Sequence, residues 1–458
     1  MKRAFLILAL SLLVMLLATP ASAVDVQQVQ RVLRATHAGW TAGETSVSHL
    51  SAEEMARDYC NLQVVLPDGE DAYEEPLDIP QDMPAHLDWR DVGANHDDFT
   101  TAIEDQKQCG TCATFSSVGA FEALVKIALN NPFIQPDLSE QAVYSCEGPL
   151  PYTFFHPMAY LKKSGAPDMT CYPYHCDNPL DRPPCDGQCA DWSVRSFKSK
   201  SYRAMMWPTP DQMKAALQNG PIVAGFQVYE DFQAYTGGVY EHKWGKHLGG
   251  HGVAVVGYDD AGQYWICKNS WGTGWGEKGW FKIKWGTGFF EFGYQSFAIT
   301  VEAGILCSDN QAPSIGNLQL ASQSEAVSTD GSLPISFTWA ALEADLAGGE
   351  LWSAIDGGAA QRYENALIEL TGTSSDGKPA TTYTLPGTTE PGDHTLQVWV
   401  KDLCGAESNK LSVTFTVPGG TADDDTTPAD DDASDDDSSP GGDSSSGDNG
   451  GNGGGCGL

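Results

Sequence analysis

Two cysteines three positions apart are the first residues of this chain whose types and spacing suggest chemistry. Cys109 and Cys112 lie in the stretch QKQCGTCATFSSVGAF, residues 106–121. Apolar residues recur at three-to-four spacing after Cys112, which predicts an amphipathic helix that begins at this cysteine. Unpaired backbone amides and the helix dipole stabilise a thiolate at such an N-terminus, and this favours a reactive Cys112.

The CGTC stretch alone leaves three interpretations open. Thiol–disulfide oxidoreductases and thiol proteases both use a helix N-terminus to lower the pKa of a cysteine, so the local sequence does not separate them. A zinc site would need a second pair of cysteine or histidine ligands at zinc-finger spacing, and no such pair follows in the sequence.

Two distant stretches supply the partners that a thiolate protease requires. The first, LGGHGVAVVGY at residues 248–258, contains His251, and the second, YWICKNSWGTGWG at residues 264–276, contains Asn269. A nucleophilic thiolate needs a base to carry protons and a third group to orient that base. Cys112, His251 and Asn269 meet these requirements.

Six ordered stretches resemble papain-family cysteine proteases, and the middle of the chain is similar to cathepsin B. They are MPAHLDWRDVG, QKQCGTC, LSEQAVYSC, ALQNGPIVAGFQVYEDFQAYTGGVY, GGHGVAVVGY and KNSWGTGWGEKGWFKI, which span about residues 84–300. In papain-type enzymes the histidine and asparagine follow the cysteine by about 130–150 residues, and here the separations are 139 and 157 residues. The resemblance implies an α+β, papain-like two-lobed catalytic domain with a helical lobe and a β-barrel-like lobe. It also makes the oxidoreductase the weaker interpretation.

The resemblance implies a role for each residue of the site. Cys112 is the nucleophile and forms a thioester, while His251 pairs with it as imidazolium, protonates the leaving amine and then activates water. Asn269 holds the imidazole through its side-chain amide. Gln106 offers its amide to the oxyanion beside the Cys112 backbone N–H. Trp271 covers the contact between the histidine and the asparagine.

The chain departs from the family pattern at two places near the nucleophile. Ala113 stands where the family usually has tryptophan, and EGPLPYTFF after Cys146 lacks the usual Cys-x-Gly-Gly turn. These departures keep a second hypothesis open, a catalytically inactive papain-like domain that serves as a binding or surface module. The intact residues of the site argue against it.

The resemblance to cathepsin B also implies disulfides and a cleavage mode. The predicted pairs are Cys109–Cys146, Cys176–Cys185 and Cys171–Cys189. Between residues 176 and 185 there is no histidine pair of the kind that binds a substrate's C-terminal carboxylate in cathepsin B, which predicts an open cleft and endopeptidase action. Phe297 aligns with the floor of the pocket for the second residue before the cut and predicts a preference for apolar residues there.

The N-terminal residues predict an exported zymogen. A basic start, an apolar run and Ala21-Ser22-Ala23 are typical of a signal peptide, residues 1–23, that is cleaved after Ala23. No later stretch approaches the ~20 apolar residues that span a bilayer, so we expect a secreted or cell-surface protein. Residues 24–83 contain AGWTAGETSVSHLSAEEM, similar to the prosegments of cathepsin B relatives. They predict an inhibitory prosegment cut near residues 82–84, ahead of a protease domain at 84–305.

The C-terminal residues differ in composition and in hydrophobic pattern from the predicted protease domain. Seven short β-rich runs separated by turn signals predict an Ig-like or fibronectin-like β-sandwich at residues 306–417, with Cys307 and Cys404 as a plausible disulfide. The runs are SIGNLQLAS, PISFTWAAL, GELWSAID, ALIELTGT, TTYTL, HTLQVWVKDL and NKLSVTFTV. Residues 418–458, which contain eleven Asp and no Lys or Arg, predict a disordered acidic tail.

Charge and composition limit the classes of partner that we expect the chain to bind. The net charge of −35 repels phosphate backbones and argues against nucleic acid. We expect polypeptide substrates, the chain's own prosegment as an intramolecular inhibitor and a monomeric protein. No cofactor or metal is expected, and the partner of the β-domain is not identified by the sequence.

Overall fold

The computed structural model describes most of the chain up to residue 418. The described ranges are 23–63, 78–147, 153–177, 182–190, 192–193, 195–286, 293–302, 312–320, 332–339, 350–367, 383–402 and 404–418. The predicted signal peptide, except for its last residue, and the predicted acidic tail from residue 419 lie outside them.

Six α-helices lie in the described ranges, together with short 3₁₀ turns at Cys185–Gly187 and Glu230–Ala234. They are α1 Val26–Thr36, α2 Ala52–Asp58, α3 Cys112–Ala128, α4 Glu140–Cys146, α5 Phe155–Lys163 and α6 Pro210–Leu217.

A nine-stranded sheet accompanies these helices in the first 302 residues. Its strands are β1 Trp40–Ala42, β2 His86–Asp88, β3 Ser201–Met206, β4 Ile222–Tyr229, β5 Tyr235–Tyr240, β6 His247–Asp259, β7 Tyr264–Lys268, β8 Trp280–Lys284 and β9 Gln295–Thr300. The order is β1-β5-β8-β7-β6-β4-β9-β3, and β2 pairs with β6 off this path. β6 therefore has β2, β4 and β7 as antiparallel neighbours.

Helix α3 begins at Cys112, as predicted, but it is not amphipathic. Every residue from Cys112 to Lys126 is buried, because the sheet and the other helices enclose the helix. Its polar side chains are satisfied internally. The Oγ atoms of Ser116 and Ser117 donate to the backbone carbonyls of Cys112 and Ala113 at 2.7 and 2.6 Å, which removes the cost of burying these hydroxyls.

Two clusters of buried apolar side chains form the core of this part of the molecule. One contains aromatic residues of the sheet, such as Phe226 and Trp271, and the other surrounds α3 and includes Cys112. Phe226 and Trp271 both contact His251, so the predicted site residues lie where the two clusters meet.

The part of the predicted prosegment at residues 24–63 contains two helices and contributes to the sheet-side cluster. Helix α1 buries Val29 and Leu33 there, and α2 buries Met55. Helix α2 begins with a capping box: Ser51 Oγ accepts from Glu54 N–H at 3.2 Å, and the Glu54 carboxylate accepts from Ser51 N–H at 2.8 Å. The sequence SAEE specifies this start because it places a hydroxyl and a carboxylate three residues apart.

Two antiparallel sheets follow in the region between residues 312 and 418. Their strands are β10 Ile315–Leu320, β11 Ser332–Trp339, β12 Glu350–Ile355, β13 Gln361–Leu367, β14 Tyr383–Pro386, β15 Gly392–Lys401 and β16 Leu411–Val417. The sheet orders are β10-β11-β14 and β13-β12-β15-β16, and one apolar cluster contains side chains from both sheets.

Six of the seven predicted runs coincide with strands. The run ALIELTGT overlaps β13 only in its first two residues, and residues 368–373 lie outside the described ranges. Leu396, Val398 and Val400, which occupy alternate positions of β15, are buried in the core. Cys404 is disulfide-bonded, while its predicted partner Cys307 is not among the described residues. The Ig-like topology stays a prediction.

Candidate active site

Strand pairing brings His251 and Asn269 together. His251 lies on β6, Asn269 directly follows β7, and the two strands are antiparallel neighbours. The imidazole Nε2–H donates to Asn269 Oδ1 at 2.8 Å. Asn269 Oδ1 also accepts the backbone N–H of Ser270 at 2.9 Å. Because two donors converge on this atom, it is the amide oxygen and not the nitrogen that faces the histidine.

The His251–Asn269 contact is shielded from water. Both side chains are buried, and the ring of Trp271 packs against the imidazole with 4.8 Å between centroids. Trp271 is 1 % exposed and in turn contacts Tyr59 edge-on at 5.8 Å. Trp271 thus covers the contact, as the family resemblance implied.

Cys112 is the first residue of α3, and its thiol is fully buried next to the strand that carries His251. The backbone N–H groups of Gly252, Ala113 and Cys112 itself lie against the sulfur. Burial raises the pKa of the Cys112 thiol to about 11, and the three N–H groups oppose this effect only in part. In this state of the chain the sulfur is therefore a neutral thiol.

A segment of the predicted prosegment crosses the site and contacts the histidine. The Tyr59 carbonyl oxygen lies 3.1 Å from His251 Nδ1, and Leu62 N–H donates to Gly250 O at 3.0 Å. Since Nε2 is used by Asn269, Nδ1 is the ring nitrogen left for another partner, and the Tyr59 carbonyl faces it.

The protonation of His251 reflects opposing effects. Burial lowers the pKa of His251 to about 4, while the hydrogen bonds to Asn269 and to the Tyr59 carbonyl act in the raising direction. Both ring nitrogens face oxygen acceptors, so a neutral ring satisfies only one of the two contacts. With residues 59–62 in place, burial therefore favours the neutral forms of both the Cys112 thiol and the His251 imidazole.

Glycines in the GGH stretch make room for this crossing segment. Gly249 has φ +142°, and a Cβ there would lie 2.0 Å from the carbonyl oxygen of Cys60. A Cβ on Gly250 would lie 2.5 Å from the carbonyl oxygen of Leu62. Any side chain at these positions would collide with backbone. Sequence reasoning missed residues 59–62 as contacts, and the paired glycines before His251 were the available signal.

Gln106 is held beside the nucleophile helix by four hydrogen bonds. Its N–H donates to Ser270 O at 2.9 Å, and its Oε1 accepts from Ser270 Oγ–H at 2.7 Å. Its Nε2 donates to Cys109 O at 2.8 Å, and its carbonyl accepts from Tyr174 O–H at 2.8 Å. One Nε2 hydrogen remains for a further acceptor. The oxyanion role predicted for Gln106 stays a prediction.

Two of the three disulfides predicted within the protease domain are wrong. The bonds are Cys109–Cys176, Cys146–Cys185 and Cys171–Cys189, so only the last pair was predicted correctly.

The physical reason lies in how the loop containing residues 171–177 docks. Tyr174 O–H donates to Gln106 O and bonds Thr111 Oγ1 at 3.0 Å, which places Cys176 beside Cys109 and leaves Cys185 for the end of α4. Because Cys109 is bonded to Cys176, it does not form a redox pair with Cys112. This removes the basis of the oxidoreductase interpretation.

An apolar cluster that contains Phe297 also contains Cys112. Phe297 is fully buried on β9 and packs against Phe154 and Phe155, with centroid distances of 5.5 and 4.9 Å. Leu62 of the crossing segment belongs to the same apolar cluster, and a Cβ on Gly225 would lie 3.1 Å from its Cδ2. An apolar side chain therefore already occupies the neighbourhood of Phe297.

Across the described ranges, no group of three or more His, Cys, Asp or Glu side chains is placed to hold a metal ion. None of the helices in the described part of the chain is both long and apolar enough to cross a bilayer.

Comparisons with known proteins agree with this geometry. The family described as papain family cysteine protease matches residues 83–301. Cathepsin B-like CP2 of Giardia intestinalis is 36% identical over 216 residues, which are 44% of this chain and 69% of that protein. Cathepsin B-like cysteine proteinase 4 of Caenorhabditis elegans is 29% identical over 274 residues, which are 51% of this chain and 80% of that protein.

A solved structure shares the fold. The proform of Amb a 11, a cysteine protease and major ragweed pollen allergen, aligns with a TM-score of 0.50 and 22% identity over 60% of this chain and 87% of its own. At this identity the likeness shows the fold alone. The match to the Giardia protein and the family match over residues 83–301 show that this chain belongs to the papain family of cysteine proteases.

Proposed function

We propose that this protein is the secreted zymogen of a cysteine endopeptidase that hydrolyses peptide bonds through Cys112 and His251. The observation that carries the proposal is the arrangement around His251. Its Nε2–H is held by Asn269 at 2.8 Å, while its Nδ1 lies beside a carbonyl of the segment to be removed. Such an arrangement suits a base that is assembled but blocked.

Removal of residues 24–83 frees Nδ1 of His251 and admits water and substrate. With the Tyr59 carbonyl gone, a proton moves from Cys112 Sγ to Nδ1, and the thiolate–imidazolium pair forms. The change is favourable because each charge then has its partner, and the N–H groups at the start of α3 stabilise the thiolate.

The reaction then follows from the positions of these groups. The thiolate attacks the carbonyl carbon of the scissile bond, and the Cys112 N–H and the Gln106 side-chain amide donate to the oxyanion. Nδ1–H gives its proton to the leaving amine, the C–N bond breaks, and a thioester remains on Sγ. Nδ1 then accepts a proton from water as the water oxygen attacks the carbonyl carbon of the thioester. The C–S bond breaks, the acid leaves, and the thiolate–imidazolium pair is restored.

The apolar cluster around Phe297 supports a preference for apolar residues at the second position before the cut. Its aromatic walls offer no carboxylate to an arginine, and Leu62 already lies in this cluster. The sequence between Cys176 and Cys185 has no histidine pair of the kind that binds a substrate's C-terminal carboxylate in cathepsin B. Internal cleavage of polypeptides is the mode that we propose.

The remaining parts of the chain fit an exported zymogen. Residues 24–83 serve as the inhibitory prosegment, in line with the helices α1 and α2 that pack on the sheet. We further propose a signal peptide at 1–23, a protease domain at 84–305, an Ig-like domain at 306–417 that docks or spaces rather than catalyses, and a disordered tail. The protein acts as a monomer.

Covalent labelling tests the proposed function. An epoxide inhibitor of thiol proteases should modify Cys112 after residues 24–83 have been removed, and peptide hydrolysis should stop in step with labelling. Cys267, which is buried and free on β7, is the internal control and should stay unmodified. A matured protein that hydrolyses no peptide and takes no label at Cys112 would instead support an inactive papain-like module.

A further inference from the structure

One buried polar atom of the catalytic asparagine and one of a nearby glutamate have no hydrogen-bond partner among the described residues. They are Asn269 Nδ2 and Glu140 Oε2. Asn269 is 2 % exposed and Glu140 is 1 % exposed. Leaving such a group unsatisfied in the protein interior is costly, so each atom calls for an explanation.

Both residues line the same small cavity. Its volume is about 10 Å³, which is room for about one water molecule. The other lining residues are Glu104, Phe115, Ser116, Gly119, Gly252, Ala254, Lys268 and Ser270. The lining is polar enough to hold water, because a buried water needs about 2–4 polar partners.

We propose that one water molecule in this cavity accepts the Nδ2–H of Asn269 and donates to Glu140 Oε2, so that Glu140 is a positioning residue for the catalytic amide. The kinetic consequence of this inference rests on the proposed function, whereas the presence of the water molecule is independent of it.

The bridge would fix the rotation of the Asn269 amide. Its oxygen already accepts from His251 Nε2 and from Ser270 N–H, and the water would hold the opposite end of the same planar group. A hydrogen bond donated by Nδ2–H also polarises the amide and makes Oδ1 a better acceptor. The imidazolium form of His251 is then stabilised, and with it the thiolate of Cys112.

The charged groups around Glu140 do not remove its ability to accept. Burial and the nearby carboxylates of Glu122, Glu104 and Asp137 raise the pKa of Glu140 well above its ordinary range. Lys268 also faces the cavity, with its Nζ 2.8 Å from Thr101 Oγ1. A protonated or an ionised carboxyl group both present an oxygen acceptor, so the bridge does not depend on which form is present.

The test uses three variants of the matured enzyme. Glu140→Met replaces the carboxyl group by an apolar chain of similar length, and Glu140→Gln keeps an amide that can bond the water. Glu122→Gln is the matched control: Glu122 is equally buried, but its oxygens already accept from Thr101 Oγ1 at 2.6 Å and Leu138 N–H at 2.8 Å, and it does not line the cavity.

Kinetics and thiol labelling should separate positioning from a merely structural role. Losing one bridging hydrogen bond should lower the kcat of Glu140→Met about tenfold with little change in KM. The pH at which Cys112 becomes reactive toward an alkylating agent should rise by about one unit. Glu140→Gln should restore most of both properties, and Glu122→Gln should leave both as in the wild type.

A crystal structure of the wild-type protein gives a decision that is independent of activity. Electron density for one water within hydrogen-bond distance of Asn269 Nδ2 and Glu140 would support the bridge, even if the protein hydrolyses no peptide. A dry cavity, or Nδ2 bonded to another group, would overturn it. So would an unshifted alkylation profile in a folded Glu140→Met protein.

Discussion

Cys109 and Cys112 are three residues apart and belong to two differently organised regions. Cys112 opens a helix, and its sulfur lies against the backbone of β6. Cys109 precedes the helix and is tied by a disulfide to Cys176 in a loop. The first region holds its residues by regular hydrogen bonding, whereas the second holds them by covalent bonds between irregular segments.

Because they are held together differently, the two regions contribute different properties to the protein. Residues on or beside α3, β6 and β7 are positioned by helix and strand geometry, which fixes His251 and Asn269 relative to each other. The described residues between 171 and 189 have little regular structure; one disulfide joins the two ends of this loop and another anchors it to α4. Changes in the first region should therefore alter chemistry, and changes in the second should alter stability.

The largest effect is expected for Cys112→Ala. Removal of the sulfur leaves no nucleophile, so kcat/KM for a peptide substrate should fall at least about 10⁴-fold, which corresponds to roughly 5 kcal/mol of activation free energy. The free energy of unfolding should change by no more than about 1 kcal/mol. Peptide hydrolysis and urea unfolding of the matured protein measure the two quantities.

Cys267→Ala provides the control for Cys112→Ala, since Cys267 is also a buried free thiol. It should retain hydrolysis. If Cys112→Ala kept a substantial part of the wild-type rate, Cys112 would not be the nucleophile. The assignment of the chemistry to the helix-and-strand region would then be wrong.

The next largest effect is expected for the double variant Cys109→Ala/Cys176→Ala. These cysteines are 67 residues apart, and opening a loop of that length costs about 4 kcal/mol in the chain-entropy account. Cys171→Ala/Cys189→Ala opens a separation of 18 residues and should cost about 3 kcal/mol. Urea unfolding measures how much unfolding free energy each double variant loses. A larger loss in Cys171→Ala/Cys189→Ala would show that docking contacts outweigh loop length.

The same comparison explains what the sequence could predict. Helix α3 was located correctly because its apolar spacing and the cysteine at its start are local signals. His251 and Asn269 were found because the GGH and KNSW stretches carry them, even though 18 residues separate them in the chain.

Features that depend on how distant irregular segments dock were not predictable in the same way. The Cys109–Cys176 bond depends on Tyr174 reaching Gln106 and Thr111, and no spacing rule contains that contact. The complete burial of α3 was also missed, because the residues that enclose it come from strands far away in sequence. Glu140 carries no signal of its own, since only the cavity beside Asn269 draws attention to it.

The third prediction concerns Glu147, directly after the disulfide-bonded Cys146. Burial raises the pKa of the Glu147 carboxyl to about 8 from an ordinary 4.5, although Arg182 at 3.2 Å and a hydrogen bond from Thr114 act in the lowering direction. Between these two values the folded protein keeps a proton that the unfolded chain has lost. The free energy of unfolding should therefore fall as pH rises from about 4.5 to about 8, by a few kcal/mol.

Glu147→Gln isolates this contribution. The variant has no ionising group at the position, so its stability should depend less on pH across the window than that of the wild type. Urea unfolding at several pH values measures the difference between the two proteins, which cancels the titration of other buried groups. Parallel curves would mean that Glu147 is ionised throughout and that its pairing with Arg182 dominates over burial.

The smallest effect is expected for Ala113→Trp, which restores the residue that the family usually has beside the nucleophile. Ala113 is 5 % exposed and belongs to the apolar cluster around α3, so no open space awaits an indole ring. Overpacking of this kind costs typically 1–3 kcal/mol, and we expect about 2 kcal/mol of lost stability in urea unfolding. Ala128→Trp, at the half-buried end of the same helix, is the control and should cost less. A stabilised Ala113→Trp protein would show that the neighbours of Ala113 can still accept the ring. The residues beside the nucleophile would then be less tightly packed than the strands that hold His251 and Asn269.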